Sequence, residues 1–557
     1  SNFTPHALWL CGDFLAPCLM TSLQFYSTPE AQYPSVQLKP NHLAFDPKQQ
    51  RAVLLQLERP CYVVRSQGQV SLCTDEAFHA PSTAAELLAQ IPAVQPNQLG
   101  DPGFLAAHQV SLPYMTGAMA NGIACEELVI TLGQAGLLGS FGAAGLVPAR
   151  IEEAIQRIQH ALPQGPYAFN LIHSPNEDAL ERSGCELFLR HGVRTVEASA
   201  YLDLTPHIVR YRVVGLQMTS DGQIFASNRV IAKISRTEVA RKFMEPAPLK
   251  WLQQLQSEGL ITEEQARMAA QVPMADDITV EADSGGHTDN RPLVALLPSI
   301  LSLRDEIQAE RDYAASIRVG AGGGIGTPMA ALAAFAMGAA YVTTGSVNQA
   351  CREAAASAHT KQLLAQAGMA DVAMAPAADM FEMGVELQVL KRGTMFPMRA
   401  QKLYEFYRSC DAIDTIPTAE RERLEQQVFR QPLEAVWEET VRFFNERDPE
   451  VIARAQNHPK RKMALIFRWY LGLSSRWSNH GEDGREADYQ IWCGPAMGAF
   501  NDWVRGSYLE APENRRVVEV AWHLMLGAAF LNRVQMLGVQ GLRMPAALGA
   551  YTPAPFG

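Results

Sequence analysis

Short apolar runs alternate with amphipathic segments between about residue 110 and residue 344 of the chain. Eight of these runs have the length and the β-branched or aromatic content of buried strands. They are Val110–Met119, Leu137–Phe141, Tyr167–Ile172, Thr195–Ser199, Val230–Ile234, Ile278–Ala282, Ile317–Gly320 and Tyr341–Thr344. Strands that alternate with helices form parallel sheets, and eight such units favour a closed barrel. We therefore predict an α/β fold built on a TIM (β/α)8 barrel.

Segments with helical periodicity lie between most of these strands. They are Glu126–Gly136, Arg150–Leu162, Glu177–His191, Pro206–Val213, Leu293–Glu310 and Pro328–Met337. The stretch between strands five and six is too long for one crossover and contains two more helical segments, Leu249–Glu258 and Thr262–Gln271. Thr262 is the predicted capping residue of the second segment. We expect a helical insertion at about residues 236–275 that shapes access to the active face.

The chain extends beyond the predicted barrel, residues 101–395, on both sides. Residues 1–100 read as an N-terminal α+β extension, with strands or a short helix–hairpin unit at Ala52–Leu57, Cys61–Arg65 and Gln69–Cys73. Residues 396–557 are predicted as a C-terminal helical region. Its helices are expected at Ala400–Tyr407, Ala419–Val428, Leu433–Glu446, Pro459–Leu471 and Arg515–Leu537.

Composition and charge narrow the class of protein. The 557 residues are 47% hydrophobic and 19% charged, and the net charge of −11 argues against a nucleic-acid or membrane-surface binder. Nine cysteines, at 11, 18, 61, 73, 125, 185, 351, 410 and 493, show no CxxC or Cys/His ligand spacing, so we predict no metal site, reduced thiols and a cytoplasmic location. No export signal is seen. The uncharged stretch Val319–Cys351 has a continuous apolar part, Met329–Val342, shorter than the roughly 20 residues that span a membrane.

Glycine-rich turns follow the last two predicted strands. Gly320–Pro328 opens a helix after strand seven, and Thr343–Ser346 follows strand eight. Glycines let backbone N–H groups approach a phosphate, and TIM barrels commonly bind phosphate at this place. Neither GxGxxG nor GxxxxGK[ST] matches. A tight strand-to-helix turn is the alternative, but the second donor set favours a phosphomonoester site. Its predicted residues are Gly322, Gly323, Gly324, Thr344, Gly345 and Ser346.

Polar residues at the ends of other strands are candidates for chemistry. His287 lies on a glycine loop that includes Gly286 and follows strand six, where a general acid or base is useful. A histidine that is hydrogen-bonded for structural reasons is the alternative. Asn170, Glu197, Lys233 and Gly286 are candidates to bind a cofactor. Each of the first three could instead be a salt-bridge or cap residue. Three uncharged windows, Gln109–Cys125, Leu128–Ala149 and Val319–Cys351, provide a dry lining of the kind a flavin ring needs.

Several of these motifs together resemble the nitronate monooxygenase family of FMN enzymes on TIM barrels. The resemblance rests on Gly285–His287, Ala321–Ile325 and Thr344–Ser346. Three further segments are similar to one branch, the trans-acting enoyl reductases of polyunsaturated fatty-acid synthases and trans-acyltransferase polyketide synthases. They are Ala378–Glu382, Leu387–Phe396 and Cys493–Gly498.

The resemblance implies a mechanism and partners. His287 matches the catalytic histidine of the family, Gly323, Gly324, Gly345 and Ser346 match its phosphate site, and Met119, Asn170 and Lys233 match its flavin contacts. NADPH would reduce FMN, and a 2-enoyl thioester on an acyl carrier protein would be the substrate. The carrier is acidic, so Lys460–Lys462 and Arg515–Arg516 are candidate docking segments, with solvated helix faces as the alternative. A homodimer is compatible with the sequence.

Two other functions share part of this pattern. A nitronate oxidase would use the same flavin residues, with His287 acting on the α-carbon of its substrate. The long C-terminal region argues against it, because a small nitronate needs no surface for a carrier protein. A flavin-free scaffold subunit of a synthase is the second alternative, and the intact glycine turns and His287 argue against that.

Overall fold

The computed structural model describes residues 22–26, 31–78, 83–173 and 178–556. Cys11, Cys18 and the first residue of the predicted helix Glu177–His191 lie outside them. The chain divides into two compact units. Within the described residues, one unit contains those up to Gln95 together with Ala529–Tyr551, and the other contains those of Pro96–Ala528 together with 552–556. The predicted boundary at residues 395 and 396 does not coincide with a division between these units.

The first unit is built on an antiparallel sheet of four strands. In spatial order these are Ser35–Leu38, Thr83–Ile91, Cys61–Ser66 and Gln69–Cys73. The predicted hairpin is present, and its turn, Gln67 and Gly68, has both residues at positive φ as tight hairpins require. The segment predicted at Ala52–Leu57 belongs to a helix, Pro47–Leu55, whose first turn is capped by the carboxylate of Asp46.

Residues from the C-terminal part of the chain complete this unit. Strand Leu542–Arg543 pairs with Gln24–Phe25. Arg533 is fully buried, and its guanidinium donates to five backbone carbonyls, those of Val53, Leu54, Gln56, Leu57 and Arg59. Two of these carbonyls, those of Val53 and Leu54, lie in the last turn of helix Pro47–Leu55, and the carbonyl of Val53 also accepts from the backbone N–H of Gln56. One side chain therefore adds hydrogen bonds to the end of a helix that lies about 480 residues earlier in the chain.

The second unit contains a closed parallel barrel of eight strands, as predicted. The barrel strands β1 to β8 are Tyr114–Thr116, Leu138–Phe141, Ala168–Ile172, Thr195–Ser199, Arg229–Ile234, Asp277–Glu281, Arg318–Gly322 and Val342–Thr344, and they pair in chain order. Most predicted bounds agree within two residues. β1 is shorter than the predicted Val110–Met119, because Pro113 has no N–H to donate and the chain turns away after Thr116.

Helices cover the barrel between its strands. They are Glu126–Gln134, Pro148–Ala161, Asp178–Arg190, Pro206–Val214, Thr237–Met244, Leu293–Arg311, Pro328–Ala336 and Ser346–Gln349. The predicted insertion forms helices Leu249–Ser257 and Glu263–Ala269, and Thr262 and Gln265 make the expected reciprocal capping box. A hairpin of Leu216–Met218 and Ile224–Ala226 was not predicted.

A small antiparallel sheet outside the barrel was also missed. Its three strands are Gly286–His287, Glu386–Leu390 and Val372–Pro376, with Glu386–Leu390 in the middle. This sheet joins the loop after β6 to the segment that leads into the C-terminal helices. It therefore places the candidate histidine against residues that lie about 100 positions later in the sequence.

The remainder of the chain is mainly helical, as predicted. Its helices are Ala358–Ala365, Phe396–Ser409, Thr418–Arg423, the π-helix Leu424–Phe429, Leu433–Arg447, Pro449–Gln456, Pro459–His480, Ala496–Val504, Val517–Val539 and Ala546–Gly549. Val517–Val539 is long and apolar enough to cross a membrane by composition, but 61% of its most apolar window is buried within the protein, as in a core helix.

A buried ionic cluster ties together the start of β6, the start of β7 and the helix Pro102–His108. Asp277 is fully buried, and its carboxylate accepts hydrogen bonds from Arg318 at 2.6 and 2.8 Å and faces His108 Nε2 at 2.8 Å. Burial alone raises the pKa of Asp277, but the charges of Arg318 and His108 outweigh it and lower this pKa to about 2. The stabilisation is therefore complete above the ordinary aspartate pKa of 3.8 and is lost as the pH falls toward about 2.

We predict that Asp277→Ala lowers the free energy of unfolding by about 3–5 kcal/mol, because Arg318 would then be left as a buried, unpaired charge. Urea unfolding followed by circular dichroism measures the loss. Asp305→Ala is the matched control, since Asp305 is exposed beside Arg304 and its removal should change stability by less than about 0.5 kcal/mol. Equal unfolding midpoints for the two variants would contradict the assignment of Asp277 as a structural anchor.

Candidate active site

Four polar side chains from neighbouring strands meet near the carboxyl ends of β3 to β6, the end of a TIM barrel where active sites are built. They are Asn170 on β3, Glu197 on β4, Lys233 on β5 and Glu281 on β6. Three of the four were predicted from the sequence as cofactor ligands. Two of them, Lys233 and Glu281, form an ion pair, and Asn170 bonds the backbone of Glu197.

Glu197 is the most buried of the four. One carboxylate oxygen, Oε2, accepts a hydrogen bond from the backbone N–H of Ala118 at 2.7 Å. The other oxygen, Oε1, is buried and has no hydrogen-bond partner among the residues that the structure describes. A Cβ on Gly117 would lie 3.4 Å from Oε1. An unpartnered buried carboxylate oxygen is costly, so it marks a place where a ligand can donate a hydrogen bond.

Lys233 forms an ion pair with Glu281, with Nζ and Oε1 separated by 3.3 Å. Burial lowers the pKa of Lys233, but the negative charges of Glu281 and Glu197 outweigh it, and the net pKa is raised. The ammonium group therefore stays charged at neutral pH. It supplies a positive charge beside the two carboxylates.

Asn170 on β3 and Met119 on the loop after β1 are both buried. Asn170 is buried, and its amide nitrogen donates to the backbone oxygen of Glu197 at 3.0 Å and to the hydroxyl of Ser199 at 2.7 Å. Its amide oxygen is left as the group to face a ligand. Met119 is 8% exposed and lies on the loop after β1. The role of both residues as flavin contacts stays a prediction.

His287 lies on the loop after β6, at the end of the small sheet strand Gly286–His287. Its imidazole Nε2 is 3.1 Å from Oδ1 of Asp379, and the side chain is 40% exposed. Burial lowers the pKa of His287, but the hydrogen bond and negative charge of Asp379 outweigh it, so the pKa is raised. Burial also raises the pKa of Asp379, but the hydrogen bond and charge of His287 lower it on balance. Asp379 was part of a motif in the sequence analysis but was not predicted as a site residue.

The loop that carries His287 is held by contacts from later in the chain. The side-chain amide of Gln388 donates to Asp283 Oδ1 and to the backbone oxygen of Ser284, both at 2.7 Å. A Cβ on Gly285 would lie 2.8 Å from the backbone nitrogen of Cys493. Glycine is therefore required at position 285 because two backbones pass in contact there.

The glycine turn after β7 has the conformation that a phosphate cradle needs. Gly323 and Gly324 have φ values of +84° and +74°, in the left-handed region that other residues rarely adopt. A Cβ on Gly323 would lie 2.6 Å from the carbonyl carbon of Ala282, so this glycine packs against the His287 loop. A Cβ on Gly324 would meet nothing within 4 Å, so its backbone faces open space. Gly322 ends β7, close to Thr279 and Thr343.

The second donor set, after β8, is only partly available to a ligand. The Thr344 hydroxyl is buried and bonded to Tyr114 at 2.5 Å and to Asn348 at 2.6 Å, so it is engaged within the protein. The place of Thr344 in the phosphate site stays a prediction. Gly345 is open, with nothing within 4 Å of the place of a Cβ. Ser346 Oγ accepts from the backbone N–H of Gly494 at 3.1 Å and keeps its own proton to donate.

The segment Cys493–Met497 joins all three of these loops and was not predicted as part of the site. It contacts Gly285 through Cys493 and bonds Ser346 through Gly494. A Cβ on Gly326 would collide with the backbone oxygen of Ala496. Glycines in these loops indicate from sequence that another backbone passes close to them. They do not indicate which segment of the chain supplies that backbone.

The candidate docking segments are less basic at the surface than expected. Arg515 is 1% exposed and donates to the backbone oxygens of Leu509 and Glu510, so its prediction as a docking residue is wrong. Lys460 donates to the backbone oxygen of Cys410 and lies 4.8 Å from the Tyr407 ring centroid. Lys462 lies over the ring of Trp437. Arg461 and Arg516 are the exposed members of the two segments.

Three family models match the chain. The nitronate monooxygenase model matches residues 105–405, which is more than half of the chain. The N-terminal domain of the fatty acid synthase subunit PfaD matches residues 37–93. The inserted helical domain of [acyl-carrier-protein] S-malonyltransferase matches residues 410–489.

Two curated relatives are large synthase proteins. A polyunsaturated fatty acid synthase protein of Thraustochytrium sp. (strain ATCC 26185 / S-3) is 49% identical over 502 residues, which cover 88% of this chain and 33% of the relative. The polyketide biosynthesis protein PksE of Bacillus subtilis (strain 168) is 46% identical over 439 residues, which cover 79% of this chain and 57% of that protein. The chain thus spans one third to somewhat more than half of these relatives.

A solved structure agrees with this relationship. The enoyl reductase domain of MlnA, from the macrolactin biosynthesis cluster of Bacillus amyloliquefaciens, is 37% identical. It superimposes with a TM-score of 0.76 over 80% of this chain and 99% of that domain. The chain therefore belongs to the nitronate monooxygenase family, on the branch that includes polyunsaturated fatty acid synthase proteins and the enoyl reductase domain of a polyketide pathway.

Proposed function

We propose that this protein is an FMN-dependent enoyl reductase that reduces 2-enoyl thioesters on an acyl carrier protein, with NADPH as the reductant. The proposal rests on the position of His287. This residue lies on the loop after β6, is bonded to Asp379, and is on the same end of the barrel as the open glycine turns after β7 and β8. The pathway is polyunsaturated fatty-acid or polyketide biosynthesis. The similarity to the enoyl reductase domain of MlnA supports the reaction type.

The residues of the barrel mouth fit FMN. Gly323, Gly324, Gly345 and Ser346 would hold its phosphate, since two of these glycines face open space and Ser346 keeps a hydroxyl proton to donate. The orphaned oxygen of Glu197 fits a ring N–H, and Lys233 and Asn170 offer a donor and an acceptor next to it. When bound, FMN would accept hydride from NADPH and supply it to the β-carbon of the enoyl thioester.

His287 has the role of proton donor in this proposal. Reduction of a 2-enoyl thioester adds hydride at the β-carbon and leaves enolate charge on the thioester oxygen until a proton reaches the α-carbon. An imidazolium supplies that proton or stabilises the enolate. The raised pKa of His287, caused by Asp379, keeps a larger fraction of the imidazole protonated near neutral pH.

The carrier protein is the proposed partner. Residues 410–489 resemble the inserted helical domain of an enzyme that acts on acyl carrier protein, which supports a carrier-bound substrate. The exposed Arg461 and Arg516 are the remaining basic candidates for a contact with an acidic partner. Seven cysteines within the described parts of the chain are free thiols, which fits the proposed cytoplasmic location.

An anaerobic absorbance titration tests the proposal. NADPH is added to the purified protein first, and crotonyl thioester on a carrier protein or on a pantetheine group follows. Bleaching of the flavin band by NADPH and its return with the thioester are expected. Bleaching without return would reject enoyl reduction and favour nitronate oxidation on the same flavin. A colourless, flavin-free protein that FMN cannot restore would reject both functions in favour of a scaffold.

Gly324→Leu should abolish flavin binding, because a side chain at this position fills the open space over the turn where the phosphate is proposed to bind. Gly222→Leu is the matched control. Gly222 also has a positive φ, +80°, and open space around it, but it lies in the hairpin turn before Ile224–Ala226. The flavin-to-protein absorbance ratio measures the outcome. A yellow Gly324→Leu protein with normal flavin content contradicts the phosphate site.

His287→Ala should retain flavin and lose enoyl turnover by about 10²–10⁴-fold, the usual contribution of a positioned acid or base. His160→Ala is the control, since His160 is exposed on the outer helix Pro148–Ala161. Steady-state oxidation of NADPH in the presence of the enoyl thioester measures both variants. Turnover by His287→Ala equal to that of the control removes His287 from the mechanism.

Enoyl turnover should fall as the pH rises through the pKa of His287. The proton donor is the protonated imidazole, so the active fraction is high below this pKa and low above it. Because Asp379 raises the pKa, the fall should occur above the ordinary histidine value of 6.5. A pH profile of kcat measures it, and a turnover rate that rises with pH across this range is the contrary result.

A further inference from the structure

His287 and Asp379 are brought together by the small sheet rather than by the barrel. His287 pairs with Leu387 across the sheet, and Asp379 lies a few residues before that strand. The Nε2 to Oδ1 distance is 3.1 Å, and the two side chains are 40% and 49% exposed. A partly exposed pair leaves the imidazole accessible to a substrate while one ring nitrogen is held by the carboxylate.

Three charged groups face His287 from the surrounding elements. Asp379 comes from the segment before the sheet strand Glu386–Leu390, Glu281 from β6 and Lys233 from β5. Glu281 and Lys233 are 3.3 Å apart and largely neutralise each other. Asp379 is the group that bonds His287 directly and that dominates the increase in its pKa. The orientation and charge of His287 therefore depend mainly on this carboxylate.

Asp379 lies in a short loop whose two ends are joined by backbone hydrogen bonds. The backbone N–H of Ala377 donates to the oxygen of Val385 at 2.9 Å, and Val385 donates back to Met380 at 3.4 Å. Gly384, at φ +70°, makes the turn between them. These bonds fix the backbone of Asp379 relative to the strand that pairs with His287.

Residues of the C-terminal helices pack against the segment Asp379–Glu382. Phe381 is fully buried, and its ring centroid lies 5.5 Å from that of Tyr404, 5.1 Å from Tyr407 and 6.3 Å from Phe467. Glu382 forms an ion pair with Arg468 at 3.3 Å. Phe467 and Arg468 are neighbours on helix Pro459–His480, within the part of the chain that matches the inserted helical domain.

We propose that Asp379 is a positioning residue for His287, and that helix Pro459–His480 acts on proton transfer at the active face by holding the segment Asp379–Glu382. The helical region then supports the reaction directly, in addition to any role in binding a partner. The pairing of the two side chains stands independently of the reaction. Its consequence for turnover rests on the proposed enoyl reductase function.

Histidine NMR of the flavin-loaded protein tests whether Asp379 positions His287. The His287 signal is assigned by its absence in His287→Ala and titrated with pH in the wild type, Asp379→Asn and Asp379→Glu. Asp379→Asn should lower the pKa of His287, because the negative charge is gone, whereas Asp379→Glu should keep it raised. An unchanged pKa in Asp379→Asn overturns the proposal.

Turnover supplies the matching kinetic readout. In Asp379→Asn the loss of activity with rising pH should move to lower pH, with kcat reduced on the order of 10-fold near neutral pH and KM little changed. A fall in activity at all pH values without displacement of the profile would indicate structural damage and overturn the positioning role. If the wild type has no enoyl turnover but the NMR shift is present, the proposed function fails and the pairing stands.

Removal of the Arg468–Glu382 ion pair tests the role of helix Pro459–His480. Arg468→Gln is combined with Glu382→Gln, so that the Asp379–Glu382 segment loses its ion pair to the helix without a change in net charge near His287. The pKa of His287 should then move in the same direction as in Asp379→Asn, by a smaller amount. Arg476→Gln, on an exposed position of the same helix, is the control and should leave the titration unchanged. A titration of the double variant identical to that of the control overturns the role of the helix.

Discussion

The active face depends on a contact between two backbones that leaves no room for side chains. A Cβ on Gly285 would lie 2.8 Å from Cys493 N, and a Cβ on Gly494 would lie 2.8 Å from Gly285 N. Each glycine is thus required by the other. The contact fixes the loop that carries His287 and brings Gly494 within 3.1 Å of Ser346 Oγ. The loop of His287 and the glycine turns after β7 and β8 are therefore held together by one segment from outside the barrel.

Strand β6 carries a buried carboxylate that stabilises the fold at one end and a carboxylate of the candidate site at the other. Its first residue, Asp277, is fully buried with Arg318 and His108, and its last residue, Glu281, pairs with Lys233 near the mouth. Four residues apart in sequence, the two carboxylates face opposite ends of the barrel. The charge that stabilises the fold can therefore be removed without touching the charges that surround His287.

Much of the barrel and the positions of His287 and the glycine turns could be predicted from sequence, because buried parallel strands leave strong apolar runs and the turns follow them directly. Thr83–Ile91 was missed since Ala, Leu and Glu favour helices, and its pairing with two other strands overrides that preference. Asp379 is 92 residues from His287, and no local pattern connects them. The burial of Arg515 likewise depends on carbonyls that only the fold presents.

The five carbonyls around Arg533 have a consequence for the order in which the protein is made. The ribosome synthesises Pro47–Leu55 and its sheet roughly 480 residues before the arginine that completes the helix end. The part of this unit that is translated early therefore lacks the contacts of Arg533 until Ala529–Tyr551 has left the ribosome. The complete unit can therefore form only after the whole barrel has been synthesised.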